Sequence, residues 1–307
     1  MTRVLLHIGD HKTGTSSLQR LCAAGHLPAG VLYPIAGRAN GAGHHNLAWS
    51  IGADPRFSNG KGGWNQVWEE VRAQLPQTVL LSSEAFEFKR PKPVHKALFS
   101  KLPHSVEQVE IALYIRPHAP RLLASYAERL KRGIGPFERA EFLNHAIGTR
   151  RFHFADRVRR WQKTFGREAL KIRVFQPELL YRGDMVDDFF LHFLRSEPPQ
   201  IRCAKANQSP CANALKIMQE QGQIHFANGG ARGARANAAL IRAKASAAIP
   251  GSRPVWTEGE AAQLVRAFQA DALELDDILS CNSFSQSLAT TIRATAQPLE
   301  RDVAQVV

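Results

Sequence analysis

The chain has 307 residues and a mass of 34.0 kDa, which fits one large domain or one domain with an appended lobe and excludes a long multidomain assembly. With 44% hydrophobic and 22% charged residues, the composition is that of a folded globular protein and excludes wholesale disorder and a fibrous repeat. Forty Lys and Arg against 27 Asp and Glu leave a net charge of +13, which indicates an anionic partner such as a nucleotide, a phosphorylated or sulfated substrate, nucleic acid or acidic lipid.

The hydropathy and cysteine patterns bear on location and metal binding. No run of 18 apolar residues occurs, and residues 1–9 are typical of a strand rather than of a signal peptide. The four cysteines, Cys22, Cys203, Cys211 and Cys281, form no CxxC pair and no zinc-type cluster with histidine. We therefore expect no membrane span, no metal site, and free thiols in a reducing, cytoplasmic compartment.

Short apolar runs alternate with amphipathic helical patterns over the first two thirds of the chain. Strands are predicted at residues 3–7, 78–82, 109–116 and 170–175. Helices are predicted from residue 18 and at 44–51, 65–75, 121–131, 152–165 and 185–194. This alternation predicts an α/β fold, a three-layer, P-loop-type, mostly parallel sheet flanked by helices.

The last third of the chain has no strand pattern and predicts a helical C-terminal extension, with helices near 213–221, 236–248 and 258–277. We expect an α/β core over residues 1–208 and a helical region over 209–307 packed on the same domain. Residues 228–235, NGGARGAR, are Gly-rich and basic, which favours a solvated linker over a mobile lid on an anion.

A Gly- and Thr-rich turn joins the first strand to the first helix. Such a turn offers a phosphate free backbone N–H groups and the positive end of the helix dipole. The triphosphate-binding motif GxxxxGK[ST] places Lys directly after the second Gly, whereas here Thr15 follows Gly14 and Lys12 precedes it by two positions. The spacing favours an anion site and counts against a magnesium-triphosphate site.

The segment HKTGTSS at residues 11–17 resembles the 5′-phosphosulfate loop, (P/H)K(T/S)GT(T/S), of the sulfotransferases that use 3′-phosphoadenosine 5′-phosphosulfate (PAPS). The resemblance implies that Lys12 contacts the bridging oxygen of the leaving group, where negative charge grows during transfer. It implies PAPS as co-substrate, 3′,5′-adenosine bisphosphate as product, and no metal. The residues that it assigns to the 5′-phosphate are Thr13, Gly14, Thr15, Ser16 and Ser17.

A second anion site is expected for the 3′-phosphate of PAPS. Arg116 ends the third predicted strand, and Ser125 follows in the next helix; together they resemble the family's Arg-x7-Ser element, which pairs a forked cation with a hydroxyl. Here the two residues are nine positions apart rather than eight. This departure leaves open the possibility that the protein is a degenerate family member, which binds the nucleotide without catalysing transfer.

The acceptor hydroxyl needs a general base. Glu84 directly follows the second predicted strand, at the end where ligands of open α/β sheets bind, and the resemblance to glycan-modifying sulfotransferases implies a catalytic Glu or His there. The rival is the His44–His45 pair, with His45 as alternative base and both histidines as acceptor-binding residues. The alternative to a catalytic role is that Glu84 only caps the helical turn that follows it. His7 is expected to be packed in the core.

The basic run at residues 150–160 predicts a solvated helix face, with Phe154, Val158, Trp161 and Phe165 as its core stripe.

The sequence as a whole predicts sulfuryl transfer from PAPS to an acceptor hydroxyl on a carbohydrate or a glycosylated small molecule. Its partners would be an anionic nucleotide donor and this acceptor, with no specific nucleic acid. A P-loop kinase that uses magnesium-ATP and a non-catalytic polyanion binder remain alternatives.

Overall fold

A computed structural model describes residues 1–201, 209–249 and 251–296, so Cys203 and the predicted boundary at residue 208 lie outside the described residues. The strands are β1 (Thr2–His7), β2 (Val31–Leu32), β3 (Thr78–Ser82), β4 (Val106–Ile115) and β5 (Leu170–Val174). The helices are α1 (Thr15–Ala23), α2 (His45–Trp49), α3 (Trp64–Gln74), α4 (Pro91–Phe99), α5 (His118–Lys131), α6 (Arg139–Gly148), α7 (Phe154–Phe165), α8 (Met185–Phe189), α9 (Ala212–Ala236), α10 (Ala238–Ser246), α11 (Glu258–Leu279) and α12 (Ser283–Ala296).

The chain divides into two compact units. The first comprises Met1–Arg116 and Asp156–Ala206 and contains the whole sheet; the second comprises Pro117–Ala155 and Asn207–Val307 and is helical in its described part. In the helices of the described residues, no segment is long and apolar enough to cross a membrane.

The sheet has the strand order β2-β3-β1-β4-β5, and all four pairings are parallel. In the centre, Leu5 of β1 lies beside Leu80 of β3, and Leu6 lies beside Ile111 of β4. These side chains are fully buried, as expected for strands covered on both faces. The predicted fold class, a parallel α/β sheet flanked by helices with a helical C-terminal part, is confirmed.

One core cluster of the first unit joins the sheet to α1 and α8. Leu5, Leu80 and Ala112 of the strands pack with Leu18 and Leu21 of α1, which recur at helical spacing and so face the same side. The segment that follows the loop at 175–184 adds aromatic rings from α8 and the π-helical turn after it. These rings belong to Phe189, Phe190 and Phe193.

In the second unit, α9 overturns the prediction of a linker or lid at 228–235. The segment lies inside α9, whose backbone leaves helical geometry only at Gly229 and Gly230. Ala234 is fully buried, and a methyl group at Gly133 would lie 2.2 Å from its carbonyl oxygen. The composition of this segment is typical of a loop. Close packing against the chain after α5 therefore holds it in α9.

Candidate active site

The phosphate loop connects β1 to α1 with a backbone that turns through left-handed conformations. Gly9, Lys12 and Gly14 have φ values of 58°, 71° and 81°, and the Thr13 hydroxyl donates to the Asp10 carbonyl at 2.6 Å. Helix α1 begins after Gly14 with no side-chain cap and no acidic residue in its first turn. Its N-terminal end, where the helix dipole favours an anion, is therefore left uncapped by the chain's own side chains.

Arg116 meets this loop from the end of β4. Its Nη1 donates to the carbonyl oxygen of Lys12 at 3.2 Å, and its guanidinium lies 5.6 Å from the ring centre of Phe175. Lys12 and Arg116 are both half-buried. Two residues 104 positions apart, each predicted from sequence to bind the donor, are thus brought to one loop.

Glu84 reaches the same loop from β3. It begins the short helical turn after β3, and a methyl group at Gly9 would lie 2.9 Å from its Cα. Gln19, one turn into α1 and buried, donates from Nε2 to Oε2 of Glu84 at 3.0 Å. The carboxylate is therefore held at the start of α1, at the carboxyl edge of the sheet.

Charge and burial shift the pKa values of Glu84 and His45. Burial acts to raise the pKa of Glu84, but the nearby His45, the residue's own backbone amide and the Gln19 bond outweigh it, so this pKa lies below its ordinary value. Burial lowers the pKa of His45, although Glu84 opposes the shift. The structure thus favours an ionised carboxylate at Glu84 and a neutral imidazole at His45.

His45 lies close to Glu84 but is less accessible. Its Nδ1 is 3.9 Å from Glu84 Oε2 and hydrogen-bonds the Ser83 hydroxyl at 2.8 Å. A methyl group at Gly43 would lie 2.6 Å from its Nε2, so both ring nitrogens face chain atoms. The side chain of Glu84 is 21% exposed against 10% for His45, which makes Glu84 the better placed of the two to meet a substrate.

His44 and His7 are buried on either side of β3. His44 donates from Nε2 to the Pro34 carbonyl at 2.9 Å and accepts at Nδ1 from the Ser82 amide. Both ring nitrogens of His44 are therefore engaged by backbone, and its predicted contact with an acceptor stays a prediction. His7 is fully buried, as expected, with Nδ1 hydrogen-bonded to the Ser82 hydroxyl at 2.9 Å.

A buried ion cluster supports the loop and was not predicted. Arg157 of α7 lies 3.5 Å from Asp10 and 3.5 Å from Glu87, and all three side chains are at most 8% exposed. Glu87 also accepts from the backbone amide of His11 at 2.9 Å and contacts its ring. The prediction that the basic run at 150–160 is a solvated face is wrong for Arg157, whereas the core stripe of Phe154, Val158 and Trp161 is confirmed.

Helix α8 covers the other side of the loop. A methyl group at Gly14 would lie 3.4 Å from Cβ of Met185, the first residue of α8. The fully buried Asp188 anchors this helix, because it accepts from the Tyr114 hydroxyl at 2.6 Å and from Arg173 Nη2 at 2.7 Å. Gly14 and Lys12 both depend on positive φ here, so the loop shape is set by backbone as well as by side chains.

Ser125, the predicted 3′-phosphate hydroxyl, belongs to α5 of the second unit. Its hydroxyl accepts a hydrogen bond from Arg121, four positions earlier on the same helix. Its part in donor binding stays a prediction.

A cavity of about 530 Å³ opens at the far end of α2 from His45. None of the ten described residues that line it is ionisable, and Ser50, the residue after α2, is among them. The amide of Asn46 donates to the carbonyls of Ser58 and Gly62, at 2.9 and 2.6 Å, so the cavity wall is tied to the neighbour of His45. The polar and aromatic lining residues include Phe57, Asn59, Trp64, Asn65, Gln66 and Ser100.

Comparison with known proteins shows a likeness of fold and no more. No protein-family model matches the chain, and none of the curated proteins matches it. Among solved structures, the fold is similar to that of a sulfotransferase from Alicyclobacillus acidocaldarius, with 13% sequence identity, coverage of 90% of this chain and 95% of that chain, and a TM-score of 0.46. The likeness concerns fold alone, and the chemistry rests on this chain's own residues.

Proposed function

We propose that the protein is a sulfotransferase that moves the sulfuryl group of PAPS to an acceptor hydroxyl. The observation that carries the proposal is that side chains of opposite charge meet at the loop before the uncapped N-terminus of α1. Arg116 bonds the loop at Lys12, and Glu84 packs against it at Gly9. On this proposal, a cation for the donor and an ionised carboxylate for the attacking hydroxyl would flank one anion site.

The donor would lie with its 5′-phosphate at the N-terminus of α1. The backbone amides after Gly14 and the hydroxyls of Thr15 and Ser16 would hold this phosphate, and the ammonium group of Lys12 would approach the bridging oxygen. Arg116, with Ser125, would hold the 3′-phosphate through a charge-assisted hydrogen bond. The adenosine bisphosphate product leaves as an anion that cationic residues already stabilise, so no resident metal takes part.

In the chemical step, the acceptor oxygen attacks sulfur while its proton passes to a carboxylate oxygen of Glu84. The bond between sulfur and the bridging oxygen breaks, and the electron pair stays on the phosphate, where Lys12 stabilises the growing charge. A pKa of Glu84 below its ordinary value keeps the base ionised at neutral pH. The neutral His45, whose Nδ1 lies 3.9 Å from Oε2 of Glu84, is the alternative base.

The uncharged cavity beside α2 supports a carbohydrate or a glycosylated small molecule as acceptor. Hydroxyl and amide groups such as those of Ser100 and Asn59 offer both donors and acceptors to sugar hydroxyls, and Phe57 offers a half-exposed ring.

The test is formation of 3′,5′-adenosine bisphosphate from PAPS with a panel of saccharide acceptors. Glu84→Gln removes the base and should lower transfer by about 10²–10⁴-fold, the usual contribution of a general base, while leaving donor affinity unchanged. Lys12→Ala should abolish transfer, whereas Lys61→Ala, at an exposed lysine, should not. Full activity in Glu84→Gln together with loss in His45→Gln would reassign the base to His45.

A further inference from the structure

A second cationic surface lies in the helical second unit. From Glu220 to Glu258 the sequence has no acidic residue between the two. The same stretch, which covers the last part of α9 and all of α10, has five Lys and Arg: Arg232, Arg235, Arg242, Lys244 and Arg253. A positive field of this kind attracts anionic ligands.

Close backbone packing brings this stretch to the end of α5. Gly133 follows α5 with a φ of +61°, and a methyl group there would lie 2.2 Å from the carbonyl oxygen of Ala234, so only glycine allows this approach. Arg129 lies in the last turn of α5, and Arg235 lies in the last turn of α9. The contact at Gly133 thus brings the backbone of Arg235 to the end of α5, where its charge acts on Arg129.

Within the described part of the chain, no acidic side chain neutralises either arginine. The Nε atom of Arg129 is buried without a hydrogen-bond partner, and among the described residues no acidic side chain pairs with Arg129 or Arg235. Burial, and the charge of Arg235, lower the pKa of Arg129. The helix C-termini favour cations electrostatically, but they leave this buried N–H without an acceptor, which is costly unless a ligand supplies one.

We propose that Arg129 and Arg235 form a binding site for one sulfate or phosphate group, either as the free ion or carried on a larger molecule. Two guanidinium groups present several N–H donors in fixed planes that match a tetrahedral oxyanion. The exposed Arg132 and Arg232 continue the cationic surface along both helices. The site shares no residue with the donor site and does not depend on the sulfotransferase proposal.

The test is a titration of the whole protein with inorganic sulfate, followed through the NMR signal of the Arg129 Nε–H group, at constant ionic strength with chloride. The signal is assigned by its loss in Arg129→Lys. Sulfate should shift it saturably, and Arg235→Met should weaken binding about tenfold or more, as expected for the loss of a charged hydrogen bond. Arg253→Met, which removes the same charge at an exposed arginine of the same stretch, should leave the affinity within about twofold.

Stability gives a second readout that does not require the NMR signal. Without sulfate or phosphate, Arg235→Met should be more stable than the unmodified protein, because it relieves repulsion on the half-buried Arg129. With saturating sulfate the order should reverse, since a ligand stabilises the protein that binds it more tightly. Arg253→Met should follow the unmodified protein under both conditions.

Competition identifies the source of the oxyanion. If a sulfated oligosaccharide displaces sulfate at lower concentration than inorganic phosphate does, the group is carried on a saccharide; if phosphate is the better competitor, the free ion is the ligand. Either result supports the site. No saturable shift with sulfate or phosphate, or a shift of equal affinity in Arg235→Met and Arg253→Met, would overturn it.

Discussion

Gln19 donates a hydrogen bond from Nε2 to Oε2 of Glu84 at 3.0 Å, and so links the first turns of α1 to the end of β3. The two residues are 65 positions apart, and both lie at the carboxyl edge of the parallel sheet. The same amide lies 3.4 Å from the Ser82 carbonyl. A residue of the helix that would bind the donor phosphate thus orients the carboxylate that would activate the acceptor.

Replacing Gln19 by Met should therefore change the pH dependence of transfer. The lost hydrogen bond favoured the ionised form of Glu84, so its pKa should rise, and the acid limb of kcat should move to higher pH. A hydrogen bond to a charged group is worth about 1.5–3 kcal/mol, which corresponds to a displacement of at least about one pH unit. Gln74→Met, at an exposed glutamine, is the matched control. An unmoved acid limb in an otherwise active Gln19→Met would show that this bond does not tune the base.

Arg157→Met should destabilise the protein strongly, because it leaves two buried carboxylates, Asp10 and Glu87, without their shared cation. Breaking a buried ion pair from one side typically costs about 3–5 kcal/mol. On the same helix, Arg160 pairs with Asp156 while both side chains are about half exposed, 57% and 47%. Arg160→Met should therefore cost less than about 1 kcal/mol. Urea unfolding measures both, and equal losses would contradict the structural role of Arg157.

The buried histidines should make the fold sensitive to mild acid. Burial lowers the pKa of His7 to about 4 and that of His44 to about 3, whereas an unfolded histidine titrates near 6.5. Below about pH 6.5 the unfolded state takes up protons that the folded state does not, so stability is fully present above that pH and falls as the pH drops toward the folded values.

Between about pH 7 and pH 5, each of these histidines should cost about 2 kcal/mol of unfolding free energy. Urea unfolding at the two values measures the loss. His44→Gln should reduce the loss by about one histidine's share, and His104→Gln, at an exposed position, should not change it. A free energy of unfolding that is flat over this interval would contradict neutral, buried histidines at both sites.

Local sequence patterns were sufficient for the elements that position the donor loop. The apolar runs at 3–7 and 78–82 became β1 and β3, and the helical spacing of Leu18 and Leu21 became α1. Three helices were missed: α4, which contains Pro91 and Pro93 in its first turn, α6, and α12, which is rich in Ser and Thr. The edge strand β2 has only two residues, too few for any periodic pattern.

Site residues could be predicted where their role follows from neighbouring sequence. They could not be predicted where the role depends on contacts with residues far away in the chain. Lys12 and Gly14 belong to a contiguous motif, and Arg116 ends a recognisable strand. By contrast, Gln19 acquires its partner only when β3 pairs with β1, and Arg157 turns inward toward acids from two other segments. Tertiary packing likewise converted the Gly-rich 228–235 into part of α9.

The measurement that tests the proposed function most directly is a calorimetric titration with 3′,5′-adenosine bisphosphate, and separately with magnesium-ATP, at physiological salt. Selective binding of the bisphosphate is expected. Arg116→Ala should weaken it by about tenfold or more through loss of a charge-assisted contact, while Arg253→Ala should not. Preference for magnesium-ATP, or equal bisphosphate binding in both variants, would contradict a PAPS site at this loop.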